Sequence, residues 1–112
     1  MSMDREENMG LLFLDEEITD IADFFKVFGD ATRLKILFLL KQGELSVNNI
    51  AEKLQMNQST ISQQLKLLRV SRLVRHRKEG RKIFYSLDDA HIEKILKLGV
   101  EHYEETFSTR SI

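Results

Sequence analysis

The 112-residue chain has no cysteine and no proline, and only five glycines. Without cysteine no disulfide can hold the fold, and no thiolate can bind a metal ion. Without proline, and with so little glycine, few positions interrupt a helix, so a mostly helical protein is expected. Long apolar runs are missing too. The longest, Leu11–Leu14 and Ile36–Leu40, are far too short to cross a bilayer, and the acidic N-terminus is unlike a secretory signal. These features permit a cytoplasmic location, which is the expectation. The length suits one domain with a modest core.

A net charge of −1 hides a strong asymmetry. Residues 1–30 carry two basic and nine acidic groups, a net of −7. Residues 58–82 carry eight basic groups against Glu79 alone, a net of +7. A nearly neutral chain with one strongly basic stretch points to a local face for a polyanion, although a solvated surface would also account for the charge.

Residues 1–14 are expected to be an N-terminal arm, and residues 15–108 a single domain. Ile18, Ile21, Ala22, Phe25 and Phe28 recur at helical spacing, predicting a helix over Asp15–Phe28 that Gly29 ends. Asp30 can cap a second helix reaching Lys41, with Leu34, Leu37, Phe38 and Leu40 as its buried positions. Ser46 can cap a short helix through Leu54. A turn at 55–57 then leads into a helix from Gln58 to Arg69, with Ile61, Leu65 and Leu68 facing inward. Helix, short turn and helix make a helix-turn-helix. The second helix opens with Gln58, Ser59, Thr60, Ser62, Gln63 and Gln64, whose hydroxyls and amides can donate to and accept from base edges.

Two β-prone runs follow, Leu73–Lys78 and Lys82–Leu87, around Glu79-Gly80. A basic hairpin directly after a polar reading helix makes a winged helix-turn-helix. The expected architecture is therefore mostly α with a small β-hairpin. Val74, Ile83 and Tyr85 would close the core, and the wing tip from Arg77 to Lys82 could reach phosphate or the minor groove. Gln58, Ser59, Thr60, Ser62 and Gln63 are the candidates for the groove. Lys66, Arg77, Lys78, Arg81 and Lys82 are the candidates for phosphate.

The last helix, predicted over 88–105, holds Asp89 and His91 at its start and His102 and Glu105 at its end. At about 100° per residue, the two histidines lie only roughly 20° apart around the axis, but roughly 16 Å apart along it. All four side chains suit a zinc-like ion, yet no single ion spans that gap. Two copies packed antiparallel would bring the start of one helix beside the end of the other, giving two equivalent sites in a homodimer. On an ideal helix Asp88, three residues before His91, shares its face better than Asp89 does. Glu105 shares the face of His102, whereas Glu104 points away. His76, in the hairpin, reads as wing surface or a phosphate contact. Tyr103 and the Phe24/Phe25 pair read as packing rather than a ligand cage.

Three stretches resemble the ArsR/SmtB family of bacterial metal-sensing repressors: Phe28-Gly29-Asp30-Ala31-Thr32-Arg33-Leu34-Lys35-Ile36-Leu37, the run Gln58–Leu68, and the run Gly80–Leu87. The resemblance covers roughly residues 18–105. It implies an interfacial zinc site with the pattern Asp-x-His-x10-His-x2-Glu, here Asp89, His91, His102 and Glu105, and it leaves Asp88 as the helix cap. It implies release of operator DNA when Zn(II) binds. It also implies a link from the ligand at His102 to the backbone carbonyl of Arg72. Many relatives carry Glu-Leu-Cys-Val-Cys for soft metals. This chain has Glu44-Leu45-Ser46-Val47-Asn48, so a thiolate site of that type is excluded.

Imidazole and carboxylate donors suit tetrahedral zinc, and cobalt could substitute. Four protein ligands leave no open position for substrate or activated water, and no nucleophile–base constellation appears elsewhere, so an enzyme is not expected. The expected function is a zinc-responsive repressor that binds double-stranded operator DNA as a homodimer. Its rivals are a winged-helix repressor with another inducer or a purely structural metal, and a helical interaction module without a DNA role.

Overall fold

A computed structural model describes residues 14–107. Five helices and three short strands follow in the order α1 (Asp15–Phe28), α2 (Ala31–Lys41), β1 (Leu45–Ser46), α3 (Val47–Leu54), α4 (Gln58–Val70), β2 (Val74–Glu79), β3 (Lys82–Leu87) and α5 (Ala90–Phe107). The arm expected over residues 1–14 lies, apart from Leu14, outside the described residues.

The helix starts carry the caps that their sequences announce. Asp30 accepts from the Arg33 amide at 3.0 Å, Ser46 from the Asn49 amide at 3.2 Å, and Asn57 from the Thr60 amide at 2.8 Å. Each bond satisfies an amide that the helix itself leaves unpaired. Gln55 closes α3 in the left-handed region, φ 55°, and turns the chain into α4.

The core lies between α2, α3, α4 and the sheet. Ile36, Leu37, Ile50, Ile61, Leu65, Leu68 and Leu73 are fully buried, with Ile92 and Leu96 of α5 at its edge. Arg33 pins this assembly to α1, donating from Nε to the Val27 carbonyl at 2.9 Å and from Nη1 to Gln64 Oε1 at 3.4 Å. Gln64 therefore faces inward, unlike its polar neighbours on α4.

Three details differ from expectation. The sheet has a third strand, since β1 pairs antiparallel with β3 in the order β1-β3-β2, with Leu45 opposite Tyr85. Two residues show too little alternation to signal a strand. Ile83 does not close the core. It is exposed: it shares a face with Tyr85 but stands two residues nearer the wing tip, opposite Lys78, beyond the edge of the core that Tyr85 and Val74 close. Finally, Asp88 does not cap the last helix. Asp89 does, because α5 begins at Ala90, one residue later than an Asp88 cap requires.

α1 is finished differently from the rest. None of its residues is fully buried, and Ile18, Ile21 and Phe25 face solvent. α5 likewise exposes Leu98, Val100, Tyr103 and Phe107. Between them runs an apolar groove of about 400 Å³ walled by Phe28, Phe38, Ile95 and Gly99. No helix among the described residues is long and apolar enough to cross a membrane.

Candidate nucleic-acid interface and metal ligands

α4 divides cleanly by face. Ile61, Leu65 and Leu68 lie in the core, and Gln58, Ser59, Ser62, Gln63 and Lys66 are exposed on the other side. Thr60 is half-exposed. The first turn of α4, the start of α3 and the wing enclose a cleft of about 310 Å³. Gln58 and Ser62 meet Arg81 and Lys82 across it, so two predicted groove residues and two predicted phosphate residues share one surface. Asn48 and Asn49 also line it. Sequence reasoning missed this pair, although exposed amides directly after the Ser46 cap were a usable signal. The wing turns tightly at Gly80, held at φ 63° where glycine carries no steric cost, and presents Lys78, Arg81 and Lys82 to solvent.

Arg77 stands apart from the other wing cations. Its guanidinium grips Glu44 with two bonds, Nε to Oε2 at 2.9 Å and Nη2 to Oε1 at 2.8 Å. Nη1 reaches Glu79 Oε1 at 2.8 Å, and the guanidinium carbon lies 4.8 Å from the centre of the Phe84 ring. The fork matches a carboxylate, so this is the strong form of a surface pair. The hydrogen bond from Arg77 is the main reason the Glu44 carboxyl sits below its ordinary value. Arg77 is raised in turn, chiefly by Glu44. The predicted phosphate contact is thus already occupied within the chain.

At the start of α5, Asp89 Oδ1 accepts from the His91 amide at 2.8 Å and the Ile92 amide at 3.3 Å. The same oxygen lies 3.4 Å from His91 Nδ1. Desolvation pushes the Asp89 carboxyl up, but those two amides and the imidazole outweigh it and hold the group below its ordinary value. Asp89, and not Asp88, therefore stands with His91. The Asp88 amide instead donates to the Leu73 carbonyl at 3.0 Å, and its residue lines a different cleft. At the far end of the helix, His102 Nε2 lies 3.5 Å from Thr106 Oγ1, and both His102 and Glu105 are exposed. No three His, Asp or Glu side chains converge among the described residues. Each end of α5 offers one imidazole and one carboxylate, a donor set that fits half of a zinc-type site.

A buried three-helix core, a polar reading helix and a basic two-stranded wing define a winged helix-turn-helix protein. A homodimeric winged helix-turn-helix DNA-binding domain from Mycobacterium bovis is similar to it, with a TM-score of 0.76 and 29% identity, covering 89% of this chain and 95% of that one. A family model for bacterial regulatory proteins of the arsR family matches residues 30–76. The transcriptional repressor SmtB homolog of Synechocystis is 33% identical over 91 residues, 81% of this chain and 69% of the relative. The cadmium resistance transcriptional regulatory protein CadC homolog of Staphylococcus aureus is 37% identical over 90 residues, 80% of this chain and 74% of the relative. The chain belongs to the ArsR family of transcriptional regulators and is not an enzyme.

Proposed function

We propose that this protein is a homodimeric repressor that binds operator DNA through α4 and the wing and lets go when a zinc-type ion is bound between the two last helices. The observation that carries the reading is the division of donors on α5. Asp89 and His91 stand together at one end, with His102 and Glu105 at the other, and neither pair is sufficient alone. A second copy, packed antiparallel, completes both. The exposed apolar faces of α1 and α5 give that copy something to bury. Named similarity to a SmtB homolog and to a cadmium-resistance regulator adds support for a metal signal.

The residues divide the work. Gln58, Ser59, Thr60, Ser62 and Gln63 face the major groove, where amides and hydroxyls discriminate bases. Lys66, Lys78, Arg81 and Lys82 face phosphate, which makes affinity salt-dependent. Two reading helices in a dimer enter successive grooves of a roughly palindromic site, about one helical turn apart. A bound zinc ion would supply a cross-link between subunits. Asp89 holds the first turn of α5 while offering its free oxygen, and His102 offers a ring nitrogen beside Thr106. By linkage, whatever factor the metal takes from operator affinity, the operator takes from metal affinity.

Titration of zinc into the protein–operator complex at fixed salt tests this. Release is expected. Unchanged operator affinity in a protein saturated with zinc would leave a site that only braces the dimer and would overturn the sensor reading. Cobalt absorption tests the ligands: the tetrahedral bands should vanish in His91→Ala and in His102→Ala, and bands that survive either change remove that histidine from the site.

A further inference from the structure

A second cleft, of about 280 Å³, lies where the end of α4, the base of the wing and the turn before α5 meet. Arg69, Arg72, Arg75, His76 and Asp88 line it, with the buried Val74. Both of its basic walls run away from the DNA-facing cleft. Arg69 is roughly 16 Å along α4 from Gln58 by helical rise. Arg75 is roughly 17 Å along β2 from the wing tip at Gly80 by strand rise. A phosphate of a duplex held at Gln58 and Arg81 is therefore the weaker occupant. Among the described residues the Arg69 and Arg72 guanidiniums make no ion pair, and Arg75 donates only from Nε, to Ser86 Oγ at 3.5 Å. Arg72 is also held at φ 62°. Glycine enters that left-handed region freely and arginine only at a cost, and strain kept at one position points to a use for the side chain there.

Three guanidiniums against one carboxylate suit a small oxyanion of charge near −2, and the planar fork of arginine matches its oxygens. Asp88 narrows the choice. It is half-buried on the same wall and, among the described residues, makes no ion pair with any of the three arginines. An ionised carboxylate only accepts hydrogen bonds. Sulfate brings it no donor and meets it as a like charge, whereas inorganic phosphate at neutral pH keeps an O–H to donate. We infer that the cleft binds a small phosphate carrying an O–H donor, either inorganic phosphate or a hydroxylated phosphate monoester. Arg69, Arg72 and Arg75 hold its oxygens, and its O–H is donated to Asp88. The site needs neither the dimer nor the metal. It ties the end of α4 to the residue before Asp89, so its occupant fastens the reading helix to the start of the last helix.

Titration calorimetry on the full-length protein, free of metal and DNA and at fixed ionic strength, decides. Inorganic phosphate should bind saturably, and sulfate at least about tenfold more weakly, because only phosphate satisfies Asp88. Arg69→Gln and Arg72→Gly should each cost about tenfold or more in phosphate affinity. Arg72→Gly should do so while melting at or above the parental temperature in phosphate-free buffer, since glycine relieves the left-handed strain. A side chain kept only for the fold would show the opposite. Asp88→Asn should bring sulfate close to phosphate, because an amide can donate where a carboxylate only accepts. Glycerol phosphate separates the two sources: tighter binding than inorganic phosphate assigns a hydroxylated ester, and weaker binding assigns the free ion. Equal binding of phosphate and sulfate by the parent, or parental phosphate affinity in Arg72→Gly, overturns the inference. So does lost operator affinity in Arg69→Gln when the free parent gives no heat with phosphate, which would assign the cleft to the duplex.

Discussion

From α2 to β3 the chain is self-sufficient, whereas α1 and α5 are not. In the first region apolar positions point inward until eight large side chains are essentially inaccessible, and the surface left over is mostly polar and basic, with Leu67, Val70 and Ile83 as scattered apolar exceptions. In the second, helices of good amphipathic pattern leave Ile18, Phe25, Leu98 and Tyr103 in solvent. Hydrophobic spacing thus reports that a helix has a face to bury, but not whether the partner belongs to the same chain. Here the same pattern serves a core in one place and, in the proposed dimer, an interface in the other.

The largest effect that should separate the regions is in stability. Leu65→Ala, with its side chain fully buried, should cost about 2–5 kcal/mol in urea unfolding. Phe25→Ala should cost under about 1 kcal/mol at concentrations where the protein is monomeric, and should appear instead as weaker dimerisation in sedimentation. Equal costs for the two at high dilution would erase the distinction.

Next comes the response to metal. His102→Ala should leave metal-free operator affinity unchanged and abolish release by zinc in an anisotropy titration. Within the reading region, Gln63→Ala should cost about 1–3 kcal/mol on the operator and little on random DNA. Lys82→Ala should weaken both alike and lower the salt slope by about one.

The smallest effect is at the wing. Glu44→Gln should free Arg77, and the salt slope should steepen by up to about 0.9, the contribution of one extra phosphate. An unchanged slope would mean that Arg77 is turned from DNA by more than Glu44. The sign with pH follows from the lowered Glu44 value. The clamp is intact above the ordinary carboxylate range and is lost as pH falls through the lowered value, so wing amide exchange should quicken only in acid.

Much of this was legible in the residues. Caps at Asp30 and Ser46, the inward triplet on α4 and the basic hairpin all follow from local rules, and each stands where it was expected. What escaped was decided by partners distant in sequence. The two-residue β1 exists because β3 offers it an edge. Arg77 is spoken for because Glu44, far back in the chain, sits opposite. Asp89 takes the cap from Asp88 because the Asp88 amide is held by Leu73, which fixes where α5 can begin. The split of donors on α5 needed only the periodicity of a helix, and so was readable throughout.

That Leu73 carbonyl is also a joint. The Leu73 amide donates to Leu68 at 2.9 Å, and the Asp88 amide donates to Leu73 at 3.0 Å, so one residue fastens the end of α4 to the start of α5. Pivoted there, α4 behaves as an arm about 20 Å long with Gln58 at its tip. A tilt of roughly 10° at the dimer interface, carried rigidly through such a joint, would displace the tip by about 3 Å, as far as a hydrogen bond is long.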